Sequence, residues 1–206
     1  PFHTKLLGKD RLALYSFIHS LNTNFGTTIF EPVAVEVAKN KFRKSERQMI
    51  VGEEIEKKSQ QTIQEIIDNL NVQTKKPNFN QEQNLISKSI ENSELIKTKP
   101  TKADLYLVDD NEVTYYIDLK TAKPNKGGFK EFKRTLLEWS AIHQLKVPNS
   151  KTQNFIAIPY NPYYPKPYSR WTIAGMLDLE YELKVGEEFW DFIGGDGTYK
   201  NLLTCF

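Results

Sequence analysis

The 206-residue chain is poor in the side chains that build many kinds of site. It has one cysteine, Cys205, which excludes an internal disulfide and a cysteine-based zinc site. A lone thiol fits a reducing compartment. Three histidines, His3, His19 and His143, are scattered along the chain, so a histidine-built metal centre is not expected. There is no apolar run of membrane-spanning length, and no charged-then-apolar leader. A cytoplasmic location is therefore expected. Charge of one sign is also missing. The 28 Lys and Arg nearly balance the 26 Asp and Glu, leaving +2. A non-specific nucleic-acid binder is usually more basic, but an enzyme whose carboxylates offset its DNA-facing lysines need not be. The 39% apolar share suffices for a core, and the length suggests one domain.

What is present is concentrated between Lys99 and Asn125. Two runs rich in Tyr, Leu, Val and Ile, 103–108 and 113–119, flank the polar turn Asp109-Asp110-Asn111-Glu112. This predicts a β-hairpin. Asp104 falls near the start of the first strand. Asp118 and Lys120 fall at the end of the second, two apart and therefore on one face. A neighbouring strand brings Asp104 beside them. Carboxylates hold a hard divalent cation through oxygen. A lysine orients a water or offsets charge developing on phosphate. Asp is disfavoured in strands, and Asp118 follows the apolar Tyr115-Tyr116-Ile117, where an unpaired charge is costly. The alternative is an exposed Asp118–Lys120 neighbour pair with Asp104 at a solvated strand start.

Elsewhere the pattern predicts an opening helix, with Leu12, Tyr15, Phe17, Ile18 and Leu21 packed. A second helix starts close to Glu31-Pro32, since proline suits a first helical turn. Glu31 would then sit at a favourable dipole end. Lys39, Lys41, Arg43, Lys44 and Arg47 form a basic cluster that is either a solvated face or a phosphate contact. A long helix is predicted over 46–70, with Gly52, Glu56, Ser59, Ile63, Ile66 and Leu70 on one stripe, so that of Glu53, Glu54 and Glu56 only Glu56 aligns with the apolar side. The stretch 71–94 reads as a loop with a short helix at 81–90. A helix over 129–146 then crosses over to a strand at 154–158, predicting parallel pairing. Residues 159–171, rich in proline and aromatics, read as an extended segment that packs on its own domain or a partner subunit, or stacks on bases. The tail reads as a helix-turn-helix closure.

Asp104, then Asp118-x-Lys120 on the next strand and a helix after it, resembles the PD-(D/E)XK nuclease site. Pro100 departs from the usual place directly before the first Asp. The stretches SLNTNFGTTIFEPVA (20–34), IDLKTAKPN (117–125) and EEFWDFIGGDGTY (187–199) together resemble the type II restriction endonucleases of the TdeIII type. The resemblance implies an α/β fold: a restriction-endonuclease-like core with a mixed central sheet, flanked by helices, and helical N- and C-terminal parts. Within a single domain, 1–93 would be mainly helical, 94–160 the catalytic sheet and helix, and 161–206 the closure. It further implies Mg²⁺-dependent cleavage of double-stranded DNA to 5′-phosphates at a short palindrome of the GG-N-CC kind, by a homodimer. Asp104, Asp118 and the carbonyl of Leu119 would hold the metal. Lys120 would position the water, and Glu31, or its rival Glu56, would be the third acid. Lys102, Lys123, Asn125, Lys126 and Arg170 would contact DNA. The alternatives are a structure-selective or non-specific nuclease of the same superfamily, and a catalytically silent DNA-binding module.

Overall fold

The structure is a computed structural model that describes residue 5 and residues 8–120, 128–168 and 171–205, without the side chains of 18–23 and 171–172. Its centre is a five-stranded mixed sheet in the order β1-β2-β3-β4-β5. The strands are β1 (Lys44–Glu56), β2 (Leu95–Val108), β3 (Thr114–Leu119), β4 (Phe155–Ile158) and β5 (Leu183–Val185). The first three are antiparallel neighbours, and β4 and β5 run parallel to β3. The helices are α1 (Lys9–Phe25), α2 (Glu31–Ala38), α3 (Lys57–Asn71), α4 (Phe79–Lys88), α5 (Gly128–Lys146), α6 (Trp171–Ala174), α7 (Glu187–Gly194) and α8 (Thr198–Cys205). The expected α/β class with a mixed central sheet is borne out. So are the hairpin, the α5 crossover and the helix-turn-helix tail. Among the described residues no helix is long and apolar enough to cross a membrane.

Strand alternation splits the core in two. Leu105, Leu107, Ile117, Leu119, Phe155 and Ala157 face α2 and α7, joining Ala34, Phe189 and Trp190. Tyr116, Ile156 and Ile158 face the other way, into a cluster with Ile63, Ile67, Trp139 and Ile142 from α3 and α5. Asp104 and Asp118 share the even-numbered parity of Tyr106 and Tyr116, which directs them toward the α5 layer.

Four expectations need correction. The helix predicted over 46–70 is a strand as far as Glu56 and a helix only from Lys57. The stripe is genuine from Ser59 onward, where Ser59, Ile63, Ile66 and Leu70 are buried on α3. Upstream, pairing with β2 overrides helical propensity, which Gly52 weakens in any case. Gly52 has its own reason to be there: a Cβ would stand 2.5 Å from the Ile142 side chain, so glycine lets α5 lie close on β1. The segment 1–93 therefore holds the edge strand of the sheet as well as helices.

The second correction concerns Glu31, where α2 begins as expected but not as a free helix end. Helical backbone continues from α1 through a π-helical turn, Gly26–Phe30, and the Glu31 N–H bonds to the Gly26 carbonyl. Pro32 lacks a donor and would crowd the carbonyl four residues back, and the wider turn relieves this. The third is α1, which leaves Tyr15 and Phe17 more than half exposed rather than packed. Ile18 and Leu21 lie outside the described side chains. Fourth, β2 begins at Leu95, eight residues before the predicted start, so Asp104 is a strand-interior residue. Pro100 is accommodated where the β1–β2 register shifts.

An ion cluster ties α5 to the rest. Lys133 is fully buried and bonds both Glu182 oxygens at 2.6 Å, while Glu82 of α4 pairs with it as well. Burial, then the neighbouring Glu82 charge, pushes Glu182 up to about 7 against the pull of Lys133. We predict that Lys133→Met, which leaves two carboxylates buried without a cation, costs about 3–5 kcal/mol. Urea denaturation checks this, and the loss should shrink from pH 8 to pH 5 as Glu182 takes up a proton.

Candidate active site

Register builds the site. Leu105 pairs with Ile117 across the hairpin, so the next position sets Asp104 opposite Asp118. Arg47 pairs with Leu105 and Met49 with Ala103 on the other side, which sets Gln48 opposite Asp104. Gln48, Asp104 and Asp118 thus form one row across β1, β2 and β3. Like charges directly opposite on neighbouring strands repel, and the surrounding donors answer that repulsion. The Leu119 N–H donates to Asp104 Oδ2 at 2.8 Å. Lys120 Nζ donates to Asp118 Oδ1 at 2.6 Å and lies 5.1 Å from the centroid of Phe132 on α5. Gln48 Nε2 donates to Glu31 Oε2 at 2.7 Å and to Asp104 Oδ1 at 3.2 Å.

The electrostatics follow from this crowding. Burial raises Asp118 to about 7; the Lys120 ammonium lowers it, and the adjacent, hydrogen-bonded Asp104 raises it again. Glu31 also lies above its ordinary value, through burial first. The Gln48 hydrogen bond, Arg47 and Lys102 pull it down, and Asp104 pushes it up. Burial and the neighbouring Asp104 carboxyl therefore make Asp118 hold its proton more tightly than a free carboxyl does.

Among the described residues, no three Asp, Glu, His or Cys side chains converge closely enough to hold a metal ion. The chemistry of the donor set nevertheless fits a hard cation. Asp104, Asp118 and Glu31 offer carboxylate oxygens, and Mg²⁺ takes one or two carboxylates and completes its shell with water and phosphate. In this arrangement those oxygens are bonded to protein donors.

The structure brings Asp104, Asp118, Lys120 and Glu31 together and leaves Glu56 out. Glu56 is buried at the β1–α3 junction, where the N–H groups of Glu91, Asn92 and Ser93 and the Ser93 hydroxyl all donate to it. Burial pushes its carboxyl up, but these bonds outweigh burial and hold it below its ordinary value. Its place on a helical stripe beside the site was a product of the misread strand. Lys102 is exposed on β2, two residues before Asp104. Lys123, Asn125, Lys126 and Arg170 lie outside the described residues. Sequence reasoning missed Gln48 altogether. Glutamine carries no charge to draw attention, and the strand that places it had been read as helix.

The chain matches the family described as HinfI, type II restriction endonuclease, over residues 1–206. It is similar to the type II restriction enzyme MjaII of Methanocaldococcus jannaschii, with 30% identity over 93% of this chain and 54% of that relative. It is also similar to the type II restriction enzymes HgiCII and HgiEI of Herpetosiphon aurantiacus. Identities there are 28% and 27%, over the whole of this chain and 76% and 75% of those relatives. The chain spans about half the length of MjaII. The resemblance to type II restriction endonucleases is borne out at that level, and the family matched is HinfI.

Asp118 generates a prediction of its own. Its folded pKa stands near 7 against an ordinary value of 3.8. Its contribution to stability is therefore complete below the ordinary value and is lost as pH rises through about 7. We predict that Asp118→Asn, which has nothing to ionise, is more stable than the parent at pH 8 in EDTA by about 4 kcal/mol. At pH 4 the two should match. Urea midpoints at both pH values decide the matter.

Proposed function

The chain belongs to the HinfI family of type II restriction endonucleases, and on that premise we propose that it hydrolyses phosphodiester bonds of duplex DNA at a short palindromic site, with Mg²⁺ as cofactor. One observation supports the reading above others. The strands β2 and β3 and the helix α2 bring Asp104, Asp118, Lys120 and Glu31 into one hydrogen-bonded group with Gln48.

Asp104 and Asp118 would hold Mg²⁺ together with the main-chain carbonyl of Leu119, and Glu31 is the third acid. When bound, the ion withdraws charge from the phosphate and acidifies a water. Lys120, held over Phe132 at the end of β3, orients the attacking water. Its ammonium offsets the charge that develops on the phosphate oxygens. Attack of the water in line with the 3′-oxygen breaks the P–O3′ bond and leaves a 5′-phosphate and a 3′-hydroxyl. Arg47 and Lys102, close enough to bias Glu31, would meet the DNA backbone. Lys123, Asn125 and Lys126 are proposed phosphate contacts, and Arg170 a reader of guanine O6 and N7.

The proposal extends to a single PD-(D/E)XK domain of the TdeIII type acting in the cytoplasm on a palindrome of the GG-N-CC kind. A palindrome is matched by a two-fold protein, so the working unit is a homodimer with one such site per subunit.

Digestion of a sequenced plasmid tests the reading. Discrete fragments are expected with Mg²⁺ and none with EDTA. Asp118→Ala should abolish cutting, and Lys120→Ala should slow it by about 100- to 1,000-fold. Fragment ends give the recognition sequence directly. A Mg²⁺-dependent smear would indicate a nuclease without sequence choice. Absence of cutting in every salt and metal would indicate a silent DNA-binding module.

A further inference from the structure

Gln48 belongs to no part of the metal-binding or water-positioning set, yet it stands in the middle of it. Its amide nitrogen lies 2.7 Å from Glu31 Oε2 and 3.2 Å from Asp104 Oδ1. The NH₂ group has two protons, and both are directed at these acids. A divalent cation held by Asp104, with Glu31 as the third acid, would draw on the same oxygens. The amide and the cation would therefore compete for the same acceptors.

The backbone sets Gln48 apart from its neighbours. Its φ is +56°, a left-handed conformation in the middle of β1 that L-residues rarely adopt. The β1–β2 ladder passes over it, from Arg47 with Leu105 to Met49 with Ala103. Strain of this kind persists where the surroundings enforce it, and it gathers at functional sites. The other donors on the acids are less free to leave. The Leu119 N–H is part of the β3 main chain, and Lys120 is charged and seated against Phe132. Gln48 is a neutral, half-buried side chain on rotatable bonds.

We propose that the Gln48 carboxamide is a displaceable stand-in for the metal, holding Glu31 and Asp104 together without it and yielding to it, so that Gln48 is a positioning residue that sets the cation affinity of the site. The inference rests on the metal-dependent reading above. Neutral glutamine suits the task because it donates to two carboxylates and leaves without carrying a charge away. Glutamate at this position would add repulsion, and methionine would fill the space without donating.

Mg²⁺ titration by calorimetry without DNA, together with melting in EDTA, tests it on the parent protein and Gln48→Met. The variant should melt several degrees lower in EDTA, because two acids lose their shared donor. It should also bind Mg²⁺ roughly tenfold more tightly, the equivalent of one hydrogen bond to a charged group that no longer has to be broken. A merely structural role would lower both quantities. Unchanged or weaker Mg²⁺ binding in Gln48→Met would overturn the proposal while leaving the metal-dependent function standing. A parent protein that takes up no Mg²⁺ would remove both. Should Gln48→Met fail to fold, Gln48→Gly, which relaxes the left-handed backbone, carries the same comparison.

Discussion

The site depends on the register between β2 and β3. Asp104 and Asp118 face each other because Leu105 meets Ile117, and a slip of one residue would send one of them to the opposite face. The far end of the hairpin fixes that register. Asp109 accepts from the N–H groups of Asn111 and Val113 and from the Tyr115 hydroxyl, closing the turn in one way. The alternation of Leu105, Leu107, Ile117 and Leu119 into the α2–α7 layer then makes any other register costly. The chemistry at one end of the hairpin is thus set by turn geometry at the other.

Holding two acids opposite each other has a cost, and the fold distributes it. Each acid has a protein donor, and Lys120 rests on Phe132. The next residue of α5, Lys133, is clamped by Glu82 and Glu182. The buried ion cluster therefore seats the helix that supports Lys120. It joins α4, α5 and the approach to β5 at the place where the sheet must stay rigid. Both clusters crowd carboxylates into dry surroundings, so both keep an acid whose proton affinity lies close to neutrality.

Much of this was legible in the sequence, and what was not has a physical cause. Local pattern sufficed for the hairpin, since β-branched and aromatic runs around an Asp-Asp-Asn turn have few other uses. It sufficed for α5, for the parallel return to β4 and for the meeting of Asp104, Asp118 and Lys120. The edge strand β1 was misread because its helical alternative shares one apolar stripe with α3, and pairing with a partner some fifty residues away decides between them. That error promoted Glu56 and hid Gln48. The π turn before Glu31 escaped because a proline there is equally at home in a first helical turn. The continuity of the backbone through it is a matter of packing rather than propensity.

That turn has a consequence for how the chain can vary. An α-helix advances about 100° per residue, so one residue gained or lost in Gly26–Phe30 swings everything upstream by more than a quarter circle. Glu31, anchored on the sheet through Gln48, would not move. The arm formed by α1, with Leu14 and Phe17 on its outside, would be aimed in a new direction. The π turn is thus a swivel between the half anchored on the sheet and an adjustable arm. Relatives that differ in length at this point would share one chemistry while presenting different outer surfaces.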